Sequence, residues 1–226
     1  LWFAVPPAVI AVALVLFAVR EPASSAHPPA RLPISRAGLA SLGTDYWRIV
    51  LVGGLLSLAR FSEAFLVLRA AERGLSNTWV PLVLVVMSLV YTMTAYPAGR
   101  LSDRIARRSL LLTGIAVLVV ADAVLAIADT PRLVFVGVAL WGAHMGLTQG
   151  MLATMIADVA PAQHRGTAFG MLNLVAGVAL LVASALAGLL WDNGGAALTF
   201  VIGGGLAALT WFAALVWLPR TSIRLA

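Results

Sequence analysis

Seven stretches of 18 to 24 residues contain little besides aliphatic and small side chains: Trp2–Val19, Ile49–Leu68, Trp79–Ala98, Leu110–Ile127, Leu133–Ile156, Thr167–Leu190 and Ala196–Leu218. Each is long enough to cross the hydrocarbon layer of a bilayer as an α-helix. In that layer backbone polar groups find no water, so helices or closed barrels are the structures that can cross it. Of the 226 residues, 62% are apolar and 11% charged, and the mean hydropathy is +1.00. A water-soluble globule is excluded by this balance. The expected fold class is an all-α integral membrane protein with seven transmembrane helices.

Proline, glycine and arginine divide these runs. After the first comes Arg20-Glu21-Pro22 and then a segment rich in Pro, Ser, Ala and Arg that extends to Tyr46. Three parts are predicted: a helix at 1–19, a linker at 20–47 and a six-helix bundle at 48–226. Ser76, Asn77 or Thr78 is positioned to cap the third span, with Pro81 in its first turn, and Asp129 or Thr130 to cap the fifth, where Pro131 suits the first helical position. The chain opens directly in an apolar run, without the basic segment of a secretory signal. The expectation is that it starts inside a longer protein; a cleavable signal ending near Ala23 to Ala26 is the alternative.

The net charge of +6 comes from fifteen arginines, no lysine and nine acids. Nucleic-acid binders gather such charge on a polar surface, whereas these arginines flank apolar runs, so no nucleic-acid partner is expected. Counted over alternate loops, eleven arginines fall on one side and two, Arg73 and Arg132, on the other; Arg60 and Arg69 belong to the second span. The positive-inside rule then places the linker and the C-terminus in the cytoplasm, most simply of a bacterial inner membrane. Cysteine is absent, which excludes disulfides and thiolate metal sites. No cofactor is expected.

The loop after the third span reads Gly99-Arg100-Leu101-Ser102-Asp103-Arg104-Ile105-Ala106-Arg107-Arg108. It resembles the G-x-L-x-D-R-x-G-R-R loop of the major facilitator superfamily, with Ala106 in place of the usual glycine. Asp158, Pro161, Arg165, Gly166 and Gly170 resemble a second loop of that family, D-x-x-P-x-x-x-R-G. The resemblance covers the whole chain and implies helices six to twelve of a twelve-helix fold, with the N-terminal half absent from this sequence. It also implies secondary active transport by alternating access. Physically, Gly99, Asp103, Arg104, Arg107, Arg108, Asp158 and Arg165 suit a gate: Asp103 at a helix N-terminus, and Arg104 or Arg107 paired with Asp158 in one orientation of the halves and released in the other. The plainer reading is that these arginines only set topology.

Polar residues inside the spans mark a candidate substrate or proton site. Arg60 and Glu63 lie three apart, a separation at which helical side chains meet, and neither charge is cheap to bury alone. Their stripe, with Gly53, Ser57, Ala64 and Val67, is expected to face the bundle or an aqueous cavity; an internal ion pair that only fixes packing is the alternative. Span five places Trp141, His144, Met145, Thr148 and Met155 on one face and Gly142, Gly146 and Gly150 on the adjoining one, so the glycine face should pack and the other line a pocket. His144 can exchange protons near neutral pH or simply bond a backbone carbonyl. Tyr91, with Ser88, Thr92 and Ala95, and Asn173 complete the set. Asp122 is expected to reach the outer interface, and Trp191 and Trp217 to anchor there. No ligand set for a metal and no hydrolase or nucleotide-binding motif is visible.

These residues point to a transporter of a small-molecule substrate in a lipid bilayer, coupled to protons through Glu63 or His144, and not an enzyme. A non-transporting scaffold or remnant, or a seven-helix receptor, is the alternative.

Overall fold

The computed structural model describes residues 42–218 continuously and, before them, Val5, Pro6, Val9, Ile10, Ala13, Leu14 and Leu39, all of them helical. Most of the first predicted span and of the linker, and Arg220 and Arg224 of the tail, lie outside the described residues. The chain divides into two compact units, Leu1–Ser35 and Arg36–Ala226. The second unit holds every candidate site residue.

Its helices are α1 (Thr44–Ala59), α2 (Ala64–Glu72), α3 (Pro81–Ser102), α4 (Arg107–Ile127), α5 (Pro131–Val159) and α6 (Arg165–Trp217), with a short 3-10 turn at Ala162–His164. Five segments among the described residues are long and apolar enough to cross a membrane, counting Thr44–Glu72 as one. At 1.5 Å per residue, the 53 residues of α6 would run to about 80 Å, far more than one bilayer. The chain reverses at Gly195, whose φ of 74° and ψ of 177° leave the helical region. Glycine takes positive φ without the Cβ clash other residues suffer, and the limbs 165–194 and 196–217 run in opposite senses from it. Six crossings result, corresponding to predicted spans two to seven.

Two of these differ from expectation. Span two is not one helix: α1 stops at Ala59, Arg60 has φ −103° and ψ 85°, and α2 begins at Ala64. Ser62 takes part in the break, its hydroxyl accepting from the Ala64 N–H at 3.3 Å while its own N–H donates to Ser184 Oγ at 3.2 Å. Side-chain bonds of this kind offer the backbone an alternative to the helical ladder. The second difference is the turn at 191–195, which stays helical until Gly195 alone. The start of α5 follows the sequence: Thr130 is the cap, its hydroxyl accepting from Leu133 N–H at 3.4 Å, and Pro131 opens the helix.

Contacts fix the course of the helices. Tyr46 donates to the Ala168 carbonyl at 3.0 Å near the starts of α1 and α6, and Arg69 reaches the last carbonyls of α4 from α2, so α1–α2, α4 and the first limb of α6 rise together. Helices α3, α5 and the second limb descend. The glycine face of α5 packs on α3 as expected: a Cβ on Gly142 would collide with the Met87 carbonyl, and one on Gly146 would lie 2.9 Å from the Tyr91 carbonyl. Gly150 faces open space and takes no part. On the opposite side of α5, Gly114 of α4 accommodates Thr148 and Leu147.

Arginine also closes helix ends. Arg69, 1% exposed, donates Nε to Leu125 O at 3.0 Å and Nη2 to Ala126 O and Ala128 O at 3.0 and 2.9 Å, while Nη1 pairs with Glu72 at 3.0 Å. The last carbonyls of a helix lack intrahelical partners, and one guanidinium satisfies three carbonyls at this end. At the opposite end Arg108 turns inward and donates to the Leu215 carbonyl near the end of α6.

Candidate functional site

The break between α1 and α2 carries the chemistry. Arg60, Phe61, Ser62 and Glu63 line a cavity of about 420 Å³ against Gly177, Leu180, Leu181 and Ser184 of the first limb of α6. A second cavity, about 410 Å³, is bordered by Arg60 together with Ser57, Thr148, Gln149 and Asn173. Arg60 opens on both. Among the described residues it makes no ion pair within 4 Å: the expected pairing with Glu63 is not formed, because the break removes the helical geometry that three-residue spacing presumes.

The structure therefore brings Arg60 together with Glu63 on one side and with Thr148 and Asn173 on the other. It does not bring Trp141, His144 or Tyr91 to either cavity. Trp141 is fully buried, its ring 5.5 Å from that of Phe61. His144 is fully buried too, with Nδ1 2.9 Å from the Gly114 carbonyl and Nε2 without a partner. The α5 face expected to line a pocket is thus mostly turned into the bundle, where Thr148 alone of the set reaches a cavity. Tyr91 sits beside Gly146 at the α3–α5 contact.

Sequence reasoning missed two features. Phe61 is the centre of an aromatic cluster, with ring centroids 5.3 Å from Phe65 and 5.5 Å from Phe200; Phe65 and Phe200 in turn meet Trp191 at 5.6 and 6.2 Å. Trp191 is a member of this cluster rather than a free interfacial anchor. Asp122, expected at the outer interface, is instead completely buried, and neither carboxyl oxygen has a hydrogen-bond partner among the described residues. The mid-span cluster Arg60-Phe61-Ser62-Glu63 was the available signal for the break. For Asp122 there was none, since α4 is apolar around its whole circumference.

At the arginine-rich end, Arg107 and Asp158 form an ion pair across 51 residues of sequence. Arg104 is not its partner. Gly99, Asp103, Arg104 and Arg165 are exposed, and Asp103 stands at the C-terminal cap of α3 while no side chain caps α4. Arg108 is directed to Leu215 and away from the Arg107–Asp158 pair.

The profile of the Major Facilitator Superfamily matches residues 49–225. The chain belongs to the major facilitator superfamily. An uncharacterized MFS-type transporter of Methanocaldococcus jannaschii is 28% identical over 181 residues, 77% of this chain and 45% of that protein. The class H tetracycline resistance protein of Pasteurella multocida is 33% identical over 111 residues, covering 48% of this chain and 28% of the relative. Among solved structures, the Escherichia coli fucose:proton symporter FucP superposes with a TM-score of 0.69 at 16% identity, over 94% of this chain and 53% of its own. This superfamily member spans about half the length of the archaeal relative and of FucP.

Proposed function

We propose that this superfamily member is the C-terminal portion of a secondary active transporter that moves a small solute by alternating access, coupled to protons. The observation that carries the reading is Arg60, an intramembrane cation placed at a helix break and opening on two cavities without an ion-pair partner among the described residues. Broken helices at membrane depth are tolerated where they line a cavity or are buried in protein, and transporters place solute sites at such breaks. Glu63 and His144 are the proton sites of this reading; Glu63 faces the cavity, whereas His144 acts from within the bundle. The loop set Asp103, Arg104, Arg107, Asp158 and Arg165 would form the gate on the cytoplasmic face, locked in this arrangement by Arg107–Asp158. The solute path is completed by an N-terminal half that packs against α1, α2 and the first limb of α6.

The test is transport by proteoliposomes containing the protein with its full upstream reading frame, under an imposed pH gradient. The solute panel includes a tetracycline and a deoxyhexose, following the names of its relatives. Gradient-driven flux that is lost in Arg60→Gln supports the proposal. Normal insertion with no flux of any panel member, and no solute binding, favours a non-transporting scaffold.

A further inference from the structure

Asp122 has a setting that neither the solute cavity nor the gate loop uses. It projects from α4 with no exposed surface, and both oxygens lack partners among the described residues. The room it occupies is made by glycines. A Cβ on Gly203 of the second limb of α6 would lie 3.3 Å from Asp122 Oδ2, and one on Gly204 would lie 3.2 Å from Asp122 Cβ. The same point on Gly203 is 2.8 Å from Phe61 Cε1. Phe61 thus stands between two spaces, reaching Gly203 beside the acid and bordering the cavity of Arg60 and Glu63. It borders that cavity and the same glycine that the carboxyl group approaches.

A charge with no counterion inside hydrocarbon-like surroundings is strongly unfavourable, and such a group is accepted in its neutral form. Few neighbours can change this balance. The second limb of α6 carries no Asp, Glu, Arg, Lys or His between 196 and 217, and α4 carries none between Arg108 and Asp122. From α5 the inward-facing titratable group is His144, bonded to Gly114. From α2, Arg69 is committed to Leu125, Ala126, Ala128 and Glu72. That leaves Arg60 and Glu63, beyond Phe61, as the charges able to meet an ionised Asp122.

We propose that Asp122 is a proton-binding residue: protonated, it lets Phe61 seal against Gly203, and on losing its proton it draws water and the 60–63 segment inward, changing the cavity that Arg60 lines. Built on the transporter reading, this adds a proton-binding carboxyl on α4 to the sites at Glu63 and His144. The segment able to respond is the non-helical one, since the flanking helices hold their own backbone bonds.

The experiment is infrared difference spectroscopy of the purified protein in lipid nanodiscs, which needs no solute and therefore fails or succeeds independently of any transport assay. At neutral pH the wild type should show the carbonyl band of a protonated carboxyl that shifts on deuteration and is lost in Asp122→Asn. Asp122→Glu should move the band, which keeps the test decisive if the Asn variant does not fold. Absence of the band in wild type, or its persistence unchanged in the variants, overturns the proposal. Because the sequence has no cysteine, Ser62→Cys supplies a single thiol on the cavity wall. Its labelling rate, normalised to Ser102→Cys at the arginine-rich end, should depend on pH with Asp122 present and lose that dependence with Asp122→Asn; a dependence that survives overturns the link to the 60–63 segment.

Discussion

Arg69 and Leu125 lie 56 residues apart, yet the guanidinium Nε of one donates to the carbonyl of the other at 3.0 Å, joining the end of α2 to the end of α4. The same side chain serves Ala126 and Ala128. Removing a buried donor that satisfies several carbonyls costs more than the bonds themselves, because the acceptors are stranded. Arg69→Ala should lower stability by about 3 kcal/mol, read by denaturant or thermal unfolding in detergent. Glu72→Gln, at a half-exposed position, should cost less than about 1 kcal/mol. Equal effects would show that the ion pair, and not the carbonyls, fixes Arg69.

The α5 glycines should separate cleanly. Gly142→Ala places a methyl against the Met87 backbone, which has no rotamer to yield, so a loss of about 1–3 kcal/mol is expected. Gly150→Ala meets nothing within 4 Å and should be neutral or stabilising by up to about 1 kcal/mol through helix propensity. Melting temperatures of the two variants, measured side by side, decide the matter.

Arg107 and Asp158 pair at a partly exposed site, where ion pairs contribute little to stability, about 0–1 kcal/mol. Arg107→Gln and Asp158→Asn should therefore leave unfolding almost unchanged. On the proposed transporter reading their effect should fall on flux: in a double-mutant cycle the two changes should be strongly non-additive. Additive losses would mean that the pair is a bystander. Asp103→Asn, with no pairing to lose among the described residues, should impair flux without preventing insertion if its place at the end of α3 matters to gating.

Arg60 and Glu63 should be separable as well. With no ion pair between them, Arg60→Gln does not strand Glu63, so the variant should insert and fold while solute binding falls. Glu63→Gln should leave solute affinity at fixed pH within a few-fold. Binding isotherms on both variants check this; matched losses would restore the ion-pair reading.

The crossings were legible because membrane thickness sets run length, and a run of about 20 apolar residues needs no partner to be recognised. Caps were legible at Thr130-Pro131 for the same local reason. What a membrane protein hides is direction. In α4, apolar on every side, periodicity does not separate the face toward lipid from the face toward α6, so Asp122 was assigned to the interface although Gly203 and Gly204 hold it inside. The break at Arg60 was hidden differently: no proline or glycine stands there, and Ser62 departs from the helix by bonding to Ser184, 122 residues away. Arg69 reads in the sequence only as a charge closing the second span, because its partners are backbone carbonyls, which any sequence possesses.

The single-residue reversal at Gly195 leaves α6 a hairpin with no slack. Its rising limb holds Ser62 and Tyr46, and its descending limb holds Phe61 and Arg108. With no spare residue in the turn, a displacement of either limb along its axis carries the other with it in the same direction. Arg108 at one face and Phe61 in the middle of the bundle are thereby joined through a single limb: what shifts Leu215 shifts Phe200 with it.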